Sequence, residues 1–240
     1  MNSGYDFGNG ANAVNPDDVE SMTILKGAAA TALYGSRAAS GVVMITTKTG
    51  KKNKGLGIEY NGGLQWSTIL RLPEFQNEFG MGWNGDHTEL ENGSWGPRFD
   101  GSMQLWGNKY ENSQKLKPYS PIKNNIKDFF DAGFRYNNSV SFNGATDKSE
   151  YYVSFSQISD DGMVPTDADS YDKYTFSARG SHKVKALTFS SSLNYSYQKN
   201  KFATTGQGLT MLNSLYQTPR DVSTVSYTHL RAHETAANLV

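Results

Sequence analysis

The sequence predicts a mainly β chain, in which a small α/β unit precedes about five antiparallel strands of the kind that wall a membrane-spanning β-barrel. Three observations lead there. From Ile58 onward apolar and polar residues alternate with period two; the connections between the alternating stretches run short, long, short; and the composition favours Tyr, Gly, Asn and Ser over aliphatic residues. Alternation alone fits equally a soluble antiparallel sheet with one wet face. The loop asymmetry is what favours a barrel, because a soluble meander has no reason to alternate loop length.

Hydrophobic residues make up 37% of the chain and aromatics 12%, with Tyr alone numbering 14. That balance suits strands with one lipid face and one wet face. Lys plus Arg equals Asp plus Glu at 23 each, so no net field draws nucleic acid or an anionic membrane. The absence of Cys excludes disulfide frameworks, thiolate metal sites and cysteine nucleophiles. No apolar run reaches the roughly 18 residues of a spanning helix. Met1 to Gly10 also lacks the basic and apolar regions of a secretion signal, and the expectation is an internal piece of a longer precursor.

Taken in order, Met1 to Val14 is polar and glycine-rich and reads as loop. Asn15 is placed as an N-cap, with Pro16 at the first helical position and Asp17 and Asp18 in the positive first turn, so one helical turn leads in. Met22 to Leu25 forms a short apolar strand. Lys26 and Gly27 then turn the chain into AAATALY, a run of helix formers about two turns long, and Gly35 stands where a left-handed C-cap is wanted. Gly41 opens VVMITT, whose β-branched content without alternation predicts a strand covered on both faces. TGKKNKGLG, from Thr49 to Gly57, follows as a flexible basic linker.

The alternating stretches come next. Ile58, Tyr60, Gly62, Leu64 and Trp66 share one face, over close to the 9 to 11 residues a tilted membrane strand needs. Phe134, Tyr136, Val140 and Phe142 repeat the pattern, as do Tyr151, Val153 and Phe155, although Tyr152 breaks the polarity of that third strand. Tyr174, Phe176 and Ala178 give a shorter fourth, and Leu187, Phe189, Leu193, Tyr195 and Tyr197 a clear fifth. NGATDKS and GSHKVKA are the short connections and SDDGMVPTDADSYD the long one, which by parity puts the segment from Arg71 to Asp131 outside the cell. Tyr60, Trp66, Tyr136 and Tyr195 are candidates for the aromatic girdles at the membrane interfaces.

Arg71 to Asp131 is too long for a structureless loop. Trp83, Trp95 and Trp106 within it are candidates for contact with a ligand or a partner, with self-packing the favoured alternative. LTMLNSLYQTPRDV, from Leu209, has helical spacing and predicts a short helix in an external loop. TVSYTHLRAHETAANLV matches no strand pattern, and residues from Ser226 onward are expected to be a cloning or assembly artefact.

The thirty or so ordered residues ESMTILKGAAATALYGSRAASGVVMITTKTG, from Glu20 to Gly50, resemble the end of the plug domain of TonB-dependent outer-membrane receptors. The form LKGAAATALYGSRAASGVVMITTK is most similar to the SusC/RagA branch found in Bacteroidetes. SWGPRFDGSMQLW (Ser94 to Trp106) and IKDFFDAGF (Ile126 to Phe134) are similar to segments early in SusC-like barrels. The resemblance implies a transmembrane antiparallel barrel of about 22 strands, of which this chain carries the first five or so behind the C-terminal part of a plug. It implies gating or structural roles for Lys26, Gly27, Tyr34, Gly35, Arg37 and Gly41. For Arg37 the expected role is a structural pair with an acidic group of wall or plug.

The division expected is 1–54 as plug and linker, 55–225 as barrel wall with the external segment 71–131, and 226–240 as a non-native tail. The family further implies outer-membrane uptake energised by TonB in a Bacteroidetes-like Gram-negative cell. It implies a SusD-like surface lipoprotein as partner, an oligosaccharide or a peptide as cargo, and outer-membrane lipid around the wall. A TonB box is expected in the parent, outside this sequence. Nucleic acid and cofactors are not implied.

Other chemistry is weighed and set aside. His229 and His233 have the spacing of a helical zinc pair but lack an evident third ligand and stand in the suspect tail. His87 and His182 are read as solvated loop histidines. Asp160, Asp161, Asp167 and Asp169 crowd one loop without the EF-hand spacing and read as a solvated acidic loop rather than a calcium site. No Walker A sequence and no GxSxG elbow occurs. The expectation is a non-enzyme, and the alternatives carried forward are a soluble or surface carbohydrate-binding β-sheet module and a secreted enzyme.

Overall fold

The structure is a computed structural model that describes residues 14–52, 57–88, 92–110, 113–203 and 210–225. A 3-10 turn at Pro16–Asp18 leads into β1 (Val19–Leu25), α1 (Ala28–Tyr34), a second 3-10 turn at Gly35–Ala38 and β2 (Val42–Thr47). Then come β3 (Ile58–Ser67), an excursion carrying the hairpin β4 (Met103–Tyr110) and β5 (Ser113–Pro118), and β6 (Gly133–Ala145). Three more elements complete the order, β7 (Ser149–Asp160), β8 (Tyr171–Val184) and β9 (Leu187–Asn200), with α2 (Met211–Gln217) beyond them.

The first unit forms for the reasons its sequence suggests. The Asn15 side chain accepts from the Asp17 amide at 3.2 Å, capping the opening turn. Gly27 and Gly35 bracket α1 at φ of 61° and 70°, where a side chain would be strained. Gly35 does not end the helix in a left-handed cap; its ψ is −163° and the chain continues into the 3-10 turn. β1 and β2 pair antiparallel, with Met22 opposite Ile45 and Leu25 opposite Val42. The expectation that VVMITT is covered on both faces fails. Val43 and Met44 are exposed, as are Met22 and Ile24 across from them, because these strands form a two-stranded sheet with no second layer among the described residues.

The wall is a five-stranded antiparallel sheet in the order β3-β6-β7-β8-β9. Its register puts Tyr60, Val140, Phe155, Phe176 and Tyr195 in one row on one face. Asn61, Ser139, Ser156, Thr175 and Ser196 form a row on the other. Burial runs opposite to that of a soluble sheet. Tyr60, Phe155, Phe176 and Tyr195 are exposed, whereas Ser139, Ser156 and Thr175 are buried. The polar face is the inside.

Residues 146–148 and 185–186 make tight turns at one end of the sheet, while 161–170 and 68–132 connect strands at the other. The expected short, long, short order therefore holds. Two details differ. The fourth strand is not short, since β8 spans 14 residues, and His182 lies within it rather than in a loop, its Nδ1 2.7 Å from Ser149 Oγ. Both were hidden because polar Gly180, Ser181 and His182 end the apolar alternation before hydrogen-bonded pairing ends.

Candidate functional site

The polar face of the wall holds the strand-helix-strand unit. Tyr152 Oη donates to Asp18 Oδ1 at 2.8 Å, with both residues buried. The Arg179 guanidinium lies 5.5 Å over the Tyr152 ring and donates to the carbonyl of Lys48 at 3.4 Å and to Asn194 Oδ1 at 3.1 Å. Lys48 itself pairs with Glu59 at 3.1 Å. Tyr152, Arg179, Asn194 and Glu59 all belong to the polar rows, so every one of these contacts enters from the same side.

The basic stretch that follows is pinned where it is described. Lys51 pairs with Glu20 at 2.9 Å, and Lys52 pairs with Asp147 in the β6-β7 turn. Lys52 holds the Asp147 carboxyl below its ordinary range, first through the hydrogen bond and then through its charge. Gly50 sits against the backbone of Gly144 and Tyr151 so closely that a Cβ would collide with both. The expected flexible linker is thus anchored at residues 50–52, because its lysines meet carboxylates on either side.

At the opposite end, residues 75–131 and 210–225 fold together. Asp221, fully buried, accepts from the Met81 amide at 2.8 Å and pairs with Lys117 at 3.1 Å. Its neighbour Arg220 donates to the Gln76 carbonyl at 3.0 Å and to Asn77 Oδ1 at 2.9 Å, and stacks on Phe75 at 5.5 Å. Thr224 donates twice to Asn125, from its amide to Oδ1 at 2.9 Å and from its hydroxyl to the main-chain carbonyl at 2.6 Å. Tyr119 fills the centre, packing on Phe99 at 4.8 Å and donating to the Pro97 carbonyl at 2.8 Å. Burial, aided by the Asp221 charge, pushes the Tyr119 phenol above its ordinary value.

The three tryptophans separate. Trp83 and Trp95 line one open depression of about 470 Å³ with Phe79, Asn84, Gly85 and Gly96. Trp106 lies away from it on β4, its ring under the Lys117 ammonium at 5.5 Å. In the first unit, the Tyr34 hydroxyl reaches Met44 Sδ at 3.5 Å, and a Cβ on Gly41, at φ 99°, would stand 3.1 Å from the Leu25 carbonyl. Lys26 and Arg37 are exposed, and Arg37 has no acidic partner among the described residues. The acidic loop spends its carboxylates on backbone: Asp169 accepts from the Met163 and Val164 amides at 3.0 and 2.9 Å, and Asp161 from Phe134 at 2.6 Å. Among the described residues no group of His, Asp and Glu is arranged to hold a metal ion, and His229 and His233 lie outside them.

A family model described as the TonB-dependent Receptor Plug Domain matches residues 1–42. The TonB-dependent receptor SusC of Bacteroides thetaiotaomicron is 28% identical over 203 residues, covering 84% of this chain and 18% of its own length. The TonB-dependent receptor P3 of Formosa agariphila is 30% identical over 156 residues, covering 65% of this chain and 13% of its own. A solved structure of the RagAB peptide importer in its closed-closed state matches with a TM-score of 0.57 at 21% identity, over 85% of this chain and 25% of that one. The chain is similar to SusC/RagA-type TonB-dependent receptors over most of its length.

The plug model reaches through β1 and α1 to the start of β2, and the inverted five-stranded sheet has the fold of a section of barrel wall. The chain spans under a fifth of the curated relatives it matches. Sequence reasoning singled out the plug glycines but missed Asp18, Tyr152, Arg179 and the Arg220-Asp221 pair. The one visible signal was Tyr152, an aromatic residue on a face otherwise given to Ser and Asn.

Proposed function

We propose that the receptor containing this chain imports nutrients across the outer membrane, energised by TonB. In this reading residues 17–50 serve as the stopper, residues 1–54 as plug and linker, and residues 55–225 as the beginning of the wall with its external unit. The cargo is oligosaccharide and the partner a SusD-like lipoprotein on the external side. Lys26, Tyr34 and Arg37 then lie on a face of the plug that other parts of the receptor contact, and the glycines 27, 35 and 41 set its backbone turns.

The observation that carries this is the inverted sheet. Its exposed rows are aromatic and aliphatic, its buried rows are Ser and Thr, and the plug-like unit is bonded to the polar side. A soluble carbohydrate-binding sheet would bury the Phe155 and Phe176 row instead. The similarity to RagAB, a peptide importer, supports transport while leaving peptides as the competing cargo.

Two measurements on the intact receptor test this. It should fractionate with the outer membrane, and its host should take up labelled oligosaccharide only while the membrane is energised. Recovery in the soluble fraction would favour the β-sheet module. Energised uptake of peptides alone would overturn the cargo.

A further inference from the structure

We infer that Trp83 and Trp95 form a saccharide subsite on the external unit, a platform for the apolar face of a neutral sugar ring. This rests on the transport reading above and names where an arriving ligand is first held.

The depression is built, rigid and open. Trp83 and Asp86 exchange backbone hydrogen bonds of 3.0 and 2.9 Å around Asn84 and Gly85, whose φ values of 53° and 84° fit a two-residue turn with both central residues left-handed. Trp95 bonds through its amide to the Gly82 carbonyl at 3.1 Å and through its carbonyl to the Gly85 amide at 2.9 Å. Gly96 packs on the Met81 carbonyl too closely to admit a Cβ. Asp221 fixes the Met81 amide from 140 positions away. The frame is therefore ordered before any ligand arrives, which lowers the entropy cost of binding.

On this frame the two indoles are 54% and 57% exposed, so both offer apolar surface at the depression. Among the described residues no ionisable side chain lines the depression, and Asn84 is its one residue with a polar side chain other than the indoles. Aromatic faces with uncharged hydrogen-bonding groups at the margin match a ring that has C–H bonds on one face and hydroxyls at its edge. A protein partner would need roughly 800 Å² of surface where this is a small concavity, and the Arg98 guanidinium, 5.7 Å from the centroid of the lining Phe79 ring, is already paired with Glu78 at 2.7 Å. Trp106 is excluded because a cation already occupies its ring face.

The test is calorimetric titration of the intact detergent-purified receptor with neutral hexasaccharides of the glucan, mannan, xylan and fructan types. At least one should bind. Trp83→Ala and Trp95→Ala should each weaken it by about tenfold or more, Trp106→Ala by under about twofold. Trp83→Phe and Trp95→Phe, which keep an aromatic face, should bind within about threefold of the parent, separating loss of the platform from loss of fold. Unchanged binding in both alanine variants, or binding of peptides with no neutral hexasaccharide bound, overturns the subsite. Energised uptake is scored in the same variants: if it persists while sugar binding ignores the tryptophans, the subsite alone falls. If the unmodified receptor shows no energy-dependent uptake, the transport reading falls instead.

Discussion

Tyr152 donates its hydroxyl to Asp18 across 134 residues of sequence at 2.8 Å, joining the wall to the strand-helix-strand unit at one buried point. The carboxylate sits inside the contact, so losing its donor leaves a buried acceptor unanswered, which costs about 1 to 3 kcal/mol. Tyr152→Phe keeps the ring that Arg179 covers and removes only the donor. The plug segment of the membrane-embedded receptor should then be cleaved faster by protease added from the periplasmic side. Equal cleavage in the two forms would mean that the bond does not hold the plug.

The Lys52-Asp147 pair ties the same unit to a turn outside the strands. Lys52 lowers the Asp147 carboxyl, so the contact is complete at neutral pH and is lost only as pH falls through that lowered value. In a carbon-detected titration the Asp147 carboxyl should have its midpoint below about 3.9, the ordinary value, and Lys52→Ala should return it there. An unshifted midpoint in the parent would remove the pair from the junction. Both side chains are exposed, so the contact positions the chain more than it stabilises it.

Asp221 has a larger task at the opposite end of the sheet. Its carboxylate holds the Met81 amide and the Lys117 ammonium at once, and Asp221→Ala would leave the Met81 amide without its acceptor and Lys117 with only the residue-221 carbonyl and the Trp106 ring, at a cost of about 1 to 3 kcal/mol. Hydrogen exchange at the Met81, Gly82 and Trp95 amides should accelerate in that variant while exchange in β7 and β8 stays slow. Uniform acceleration would indicate that the unit around Asp221 and the wall unfold together.

What the sequence revealed and what it hid follow from the range of the interactions involved. The strands were legible because period-two alternation is local, and β3, β6 and β9 appear where Ile58, Phe134 and Leu187 begin their patterns. The turn at Asn15, the helix AAATALY and the turn glycines were likewise set by neighbours. The clasp of Arg220 and Asp221 was not legible, since its partners Gln76, Met81 and Lys117 lie more than a hundred residues away. Tyr152 was an intermediate case. It broke a local rule, and the reason for the break was a distant carboxylate. The exposure of VVMITT failed for another reason: β-branched composition predicts a strand without saying how many layers cover it.

The inversion of the sheet makes the sharpest demand on the wall. Phe176 stands in the exposed apolar row and Ser196 in the polar row of the neighbouring strand, so a charge at each samples opposite faces of one sheet. If the exposed row meets hydrocarbon, Phe176→Arg should cost about 2 to 4 kcal/mol and reduce the folded, heat-modifiable receptor recovered from the outer membrane. Ser196→Arg, facing the wet interior, should assemble close to the parent level. Equal tolerance of both would mean that the aromatic rows face water, and the same strands would then belong to a soluble sheet whose apolar face awaits a different cover.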